Sequence, residues 1–127
     1  MVYADLHVHT NHSDGTMELK DVLRLAKENG IKAIAITDHD TIHHWDELKI
    51  LGEELGIEVV RGVEMSCYDF DVHKKIHVVG LWLNDDAPHV AKLCNQTLMC
   101  RDAYHHELID QLAETNYKIT YEDAKAF

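Results

Sequence analysis

Ile31-Lys32-Ala33-Ile34-Ala35-Ile36-Thr37-Asp38-His39-Asp40 decides the fold. Its apolar half reads as a strand, and its polar half marks where that strand stops. Immediately before it, Thr16 is the expected N-cap of a helix running to Asn29, with Gly30 in the C′ position. Leu19, Val22, Leu23, Leu25 and Ala26 form the apolar stripe of that helix. Further back, residues 2–6 read as a short strand that stops at His7.

After the deciding stretch, the same grammar repeats. A second helix is expected over residues 46–55, closed by Gly56, and a third strand over 57–63 ends at Glu64. A fourth strand over 76–83 opens with His77. Residues 89–115 read as helical, and Thr120 is the expected cap of a final helix reaching Phe127. Strand-helix-strand-helix-strand order is the pattern of βαβ units and parallel strands. In such folds the chemistry collects beyond the C-terminal strand ends. Here those ends carry His7-Val8-His9, Asp38-His39-Asp40 and Glu64.

At 127 residues the chain suffices for one compact domain, and 46% apolar content with a single proline argues against disorder. A formal charge of −11 excludes a basic surface that grips duplex nucleic acid. Bound cations, however, can give an acidic protein a local phosphate site. Cys67, Cys94 and Cys100 form no CxxC pair, which suits a reducing compartment. Without a signal peptide or an apolar run near ~20 residues, the expectation is a cytoplasmic protein with no membrane contact. Eleven histidines are the compositional oddity.

His7 and His9 stand two apart at a strand end, so both side chains leave one face and can share a metal. Gly15 permits a turn that brings Asp14 back over the rim. Glu64 can bridge two cations, as no histidine can. Histidine with carboxylate and no cysteine suits zinc, manganese or iron. Two or three such ions activate water and neutralise phosphoryl oxygens.

Asp5-Leu6-His7-Val8-His9-Thr10, Ser13-Asp14-Gly15, Ile36-Thr37-Asp38-His39-Asp40, Gly62-Val63-Glu64 and His77-Val78-Val79-Gly80 together resemble the ordered motifs of the PHP (polymerase and histidinol phosphatase) family. The resemblance spans residues 2 to about 83. Residues 98–122 more loosely resemble the helical insertion of members that act on nucleoside 3′,5′-bisphosphates and short oligonucleotides. It implies an α/β fold, the N-terminal part of a distorted (β/α)7 barrel with parallel strands and a helical insertion after the fourth strand. Residues 1–85 would belong to the metal-binding domain and 86–127 to the insertion. It further implies that His7, His9 and Glu64 hold one metal, that Glu64 and His77 share a second, and that Asp14 and His39 hold a third. The remaining family ligands are expected from a later half of the barrel, in a longer protein or in another chain, with a smaller sheet and an incomplete site as the third alternative; residues 1–127 alone are expected to self-associate.

Asp38 and Asp40 are expected to orient His39 from behind rather than to bind metal. His12, His43, His44, His73, His89, His105 and His106 are expected at the surface. Arg101 is a candidate for a substrate phosphate, and Cys67 for buried packing. The functional expectation is a metal-dependent phosphoesterase that uses an ion-held hydroxide on a small phosphorylated substrate, such as a nucleoside bisphosphate or short oligonucleotide. A non-catalytic accessory module and an amidohydrolase-like C–N hydrolase are the competing readings.

Overall fold

The computed structural model describes residues 3–115 and 118–125. In chain order the elements are β1 (Ala4–Val8), α1 (Leu19–Glu28), β2 (Ala33–Ile36), α2 (Trp45–Leu55), β3 (Glu58–Asp69), β4 (Lys74–Leu81), α3 (Pro88–Ala113) and α4 (Tyr121–Lys125). The expected strand start at Val2 and helix end at Phe127 lie outside the described residues.

The sheet has the order β1-β2-β3-β4, and β1, β2 and β3 run parallel. All four residues of β2 are buried, which its small and branched side chains, Ala-Ile-Ala-Ile, allow between two neighbouring strands. Helix α1 buries Leu19, Val22 and Leu23, spaced to line one face. These meet Leu48 and Leu51 of α2 and Ile34 and Ile36 of β2 in a single apolar cluster. Each such aliphatic side chain contributes about 2 kcal/mol on burial. Gly56 ends α2 with φ 64°, a left-handed cap that glycine adopts without steric cost.

Helix α1 begins at Leu19 rather than next to Thr16. Glu18 is its N-cap residue, and no side chain caps it. The preceding loop closes on itself instead, with Asn11 N–H donating to Met17 C=O (2.9 Å) and Gly15 N–H to Thr10 C=O (3.0 Å). Packing of Leu19 into the core, rather than a cap, therefore sets the start.

The expectation of parallel strands throughout is also corrected. β3 does not stop at Glu64 but continues to Asp69, and β4 returns antiparallel beside it. A parallel return needs a crossover of a dozen or more residues, and only four residues separate the two strands. Asp69 Oδ1 closes the turn by accepting the N–H groups of Asp71 (2.9 Å) and Val72 (3.2 Å). His77 consequently lies within β4, opposite Ser66, and does not open the strand.

Helix α3 follows β4, with Pro88 at its first turn and Cys94 as its one fully buried residue. Helix α4 rests on it through stacked rings of His106 and Tyr121, 3.6 Å apart. Thr120 does cap α4: its Oγ1 accepts Asp123 N–H at 3.1 Å, and its own N–H donates to Asp123 Oδ2 at 2.9 Å. Among the described residues, no helix is long and apolar enough to cross a membrane.

Candidate metal centre

Backbone pairing continues past the ends of the parallel strands and sets two candidate ligands side by side. His39 and Glu64 form an isolated parallel bridge. Asp40 N–H donates to Glu64 C=O (3.0 Å), and Glu64 N–H donates to Asp38 C=O (3.3 Å). In the β3–β4 hairpin Glu64 faces Val79, so His77 is its diagonal neighbour on the same face. His7 and His9 arrive from the neighbouring end of β1.

Glu64, 6% exposed, is the hub. His7 Nε2 and His9 Nε2 each lie 2.8 Å from its Oε2, and His77 Nδ1 lies 3.1 Å from its Oε1. His39 Nε2 stands 3.7 Å from Glu64 Oε2 and 3.7 Å from Asp14 Oδ2. His9 reaches Asp14 with its other nitrogen, Nδ1 to Oδ1, at 2.6 Å. The structure thus brings His7, His9 and Glu64 together, then His39, Glu64 and His77, then His9, Asp14 and His39, each group with ligand atoms within 4.8 Å of one another. Nitrogen and oxygen ligands on a tetrahedral ion at 2.0–2.1 Å stand about 3.3 Å apart. The observed separations, 2.6 to 3.7 Å, bracket that value, so the donor set fits divalent cations.

Electrostatics favour the ligand form of both carboxylates. Burial pushes the Glu64 carboxyl up, but the hydrogen bond from His7 and the charges of His39, His7 and His9 outweigh it and hold it below the usual range. Asp14 is held below its ordinary value mainly by its hydrogen bond with His9. Metal binding requires deprotonated carboxylates, so neither group must lose a proton first near neutral pH.

Asp38 and Asp40 act on loops rather than on the His39 ring, whose Nδ1 is buried without a hydrogen-bond partner among the described residues. Asp38, fully buried, accepts Thr10 N–H (2.7 Å), Thr10 Oγ1–H (2.7 Å) and Ser13 Oγ–H (2.7 Å). It therefore staples the loop that carries Asp14. Gly15 matters there for closeness: a Cβ would stand 2.7 Å from the His9 carbonyl oxygen. Asp40 instead accepts Ser66 N–H (2.8 Å) and Ser66 Oγ–H (2.7 Å). Nothing in the motif spacing announces Thr10, Ser13 or Ser66 as these partners.

His44 corrects the surface expectation. It is 2% exposed, stacks on His12 at 5.2 Å, and both its ring nitrogens are buried without hydrogen-bond partners among the described residues. Its place at the start of α2, against the Asp38 loop, draws it inward; Asp38 Oδ2 is 3.6 Å away. Burial pushes its pKa from 6.5 down to about 4 despite that carboxylate. Between those pH values the unfolded chain takes up a proton that the folded chain refuses. Stability therefore falls as pH drops through this window, by up to about 3 kcal/mol, and is untouched above it. His44→Phe is expected to lose correspondingly less stability than the parent over the same window, measured by urea unfolding. Equal acid losses in the two proteins would refute this assignment.

His12, His43, His73, His89, His105 and His106 are exposed, and Cys67 is half-buried rather than packed in the core. Arg101 donates from Nη2 to Asp40 Oδ2 and to Ser66 Oγ. With His77, Lys75 and Tyr104 it lines a cleft of about 450 Å³ between the hairpin and α3.

A buried carboxylate ringed by imidazoles on one rim of the sheet defines the class: an α/β protein with a histidine–carboxylate rim of the metal-binding kind. The sequence profile of the PHP domain matches residues 5–123, and the chain belongs to that family. It is 41% identical over 120 residues to a phosphoribosyl 1,2-cyclic phosphate 1,2-diphosphodiesterase of Eggerthella lenta, covering 94% of this chain and 46% of the relative. A 5′-3′ exoribonuclease of Haemophilus influenzae is 34% identical over 122 residues, with 96% and 44% covered. The crystal structure of a protein assigned as a metal-dependent phosphoesterase from Bifidobacterium adolescentis superposes with a TM-score of 0.85 at 28% identity, covering 98% of this chain and 43% of that one. The chain spans less than half the length of each of these proteins.

Proposed function

We propose that this chain supplies the first half of a metal-dependent phosphoesterase centre acting on a small, nucleotide-like phosphate ester. The observation that carries the reading is Glu64 contacted by His7, His9 and His77, with His39 and Asp14 completing the rim. His7, His9 and Glu64 would hold one divalent ion and Glu64 with His77 a second, His39 standing close to both carboxylates. Asp14 and His39 would hold a third, with zinc, manganese or iron as the ions that suit these donors. When bound, such ions supply Lewis-acid charge to phosphoryl oxygens and acidify water.

The chain's own residues arrange the rest. Deprotonated Glu64 draws the imidazoles inward, and Asp38 fixes the loop that presents Asp14. Lys75 brings positive charge to the cleft beside His77, where an anionic ester would enter an otherwise acidic protein, while the Arg101 charge in the same cleft is taken up by Asp40. The names of the diphosphodiesterase and exoribonuclease relatives support a phosphate ester related to nucleotides. β1 and β4 are the edges of the sheet, and the further strands of a distorted (β/α)7 barrel would pair there, with α3 and α4 as the insertion after β4.

The test is phosphate release from nucleoside monophosphates, bisphosphates and short oligonucleotides by the protein spanning the whole barrel. Chelation is expected to abolish release, and added manganese or zinc to restore it. Full activity in protein shown to be metal-free, or turnover of amides in place of phosphate esters, would contradict the reading.

A further inference from the structure

Helix α3 is long but poorly anchored by apolar contacts, since Cys94 is its one fully buried residue. Its polar anchor is Arg101, whose Nη2 donates both to Asp40 Oδ2 and to Ser66 Oγ (3.1 Å). Asp40 is 1% exposed and has φ 53°, a left-handed backbone uncommon outside glycine though tolerated by aspartate. It follows His39 directly, and its N–H holds the Glu64 carbonyl at 3.0 Å. Its carboxylate grips both the N–H and the hydroxyl of Ser66, which pairs across the hairpin with His77. Asp40 therefore ties Glu64 through its backbone N–H and Ser66, the partner of His77, through its carboxylate, and one guanidinium from α3 neutralises that carboxylate. Burial and the Asp40 charge both push the Cys94 thiol up.

We propose that Arg101 is a positioning residue for the metal centre: by pairing with Asp40 it keeps His39, Glu64 and His77 in register and seats α3 against them. The inference rests on the reading of that group as metal ligands. A buried carboxylate left without its cation turns toward water. Ser66 then loses its hold, and the hairpin position opposite it, His77, shifts. Metal binding and the seating of α3 are thus linked through a single ion pair. An isolated positioning role in the fold would not produce that linkage.

The experiment has two readouts on the full chain: calorimetric titration with Mn²⁺, and the rate at which Cys94 is alkylated. Arg101→Met keeps the stem and removes the charge. It is expected to weaken at least one Mn²⁺ site by roughly 10–100-fold and to speed alkylation of Cys94. Asp40→Asn/Arg101→Met, which removes both charges, is expected to recover most of both losses. Arg101→Lys, charged but without the planar fork, is expected to fall between, and it serves should the Met variant fail to fold. Parental Mn²⁺ affinity and Cys94 protection in Arg101→Met would overturn the proposal, as would strictly additive effects in the double variant. A parent chain that takes up no Mn²⁺ would overturn the metal reading itself, and this proposal with it.

Discussion

Glu64→Gln is expected to lower phosphate release by about a thousandfold, equivalent to about 4 kcal/mol of transition-state stabilisation lost with the ions. The substitution keeps size and shape but removes the charge on which the centre converges. His7 and His9 both face one oxygen at 2.8 Å, and His77 faces the other at 3.1 Å. A neutral amide can accept through only one of its two ends and cannot bridge two cations. The imidazoles would then face an N–H₂ group or each other, and the ligand groups that include Glu64 would each lose a member. Steady-state phosphate release in the whole-barrel protein, with metal content measured alongside, checks this. A rate within a few-fold of the parent would show that Glu64 is only a structural acceptor.

Asp38→Ala should cost the metal-free chain about 3 kcal/mol of folding stability and weaken metal binding through Asp14. Three donors, from Thr10 and Ser13, end on this fully buried carboxylate. Removing a buried acceptor leaves donors such as Thr10 N–H without a partner, at about 1–3 kcal/mol for each group that water cannot reach. The loop from Thr10 to Gly15 would then lose its staple, and with it the placement of Asp14 next to His9 and His39. Urea unfolding gives the stability term, and Mn²⁺ titration gives the binding term. Normal stability would mean that water replaces Asp38; normal metal binding would mean that Asp14 is placed by its own turn.

How much of this was legible beforehand follows from where the determining interactions lie. The apolar runs around Ile34 and Val60, punctuated by Gly30 and Gly56, carry local signals strong enough to place the parallel strands and their helices. Convergence of His7, His9, His39 and Glu64 followed from topology, because β1, β2 and β3 run the same way and carry these residues to one rim. The reversal at β4 was not legible, since it depends on a tight turn at Asp69 whose Asx bonds involve only local residues of ordinary type. Thr16 looks like a cap in the sequence, whereas burial of Leu19 sets the start of α1. His44 was hidden for a different reason. Nothing about His43-His44 distinguishes the exposed ring from the buried one until α2 is packed against the sheet. Arg101 stands out in the sequence only as a cation, because its engagement with Asp40 spans 61 positions and needs the fold to be known.

Whether this histidine–carboxylate rim forms a multinuclear metal site is tested most directly by native mass spectrometry of the chain equilibrated with Mn²⁺ or Zn²⁺. Two or three ions per chain, falling when Glu64 is replaced by Gln, is the predicted result. No bound ion, or a count that the Glu64→Gln substitution leaves unchanged, would contradict it.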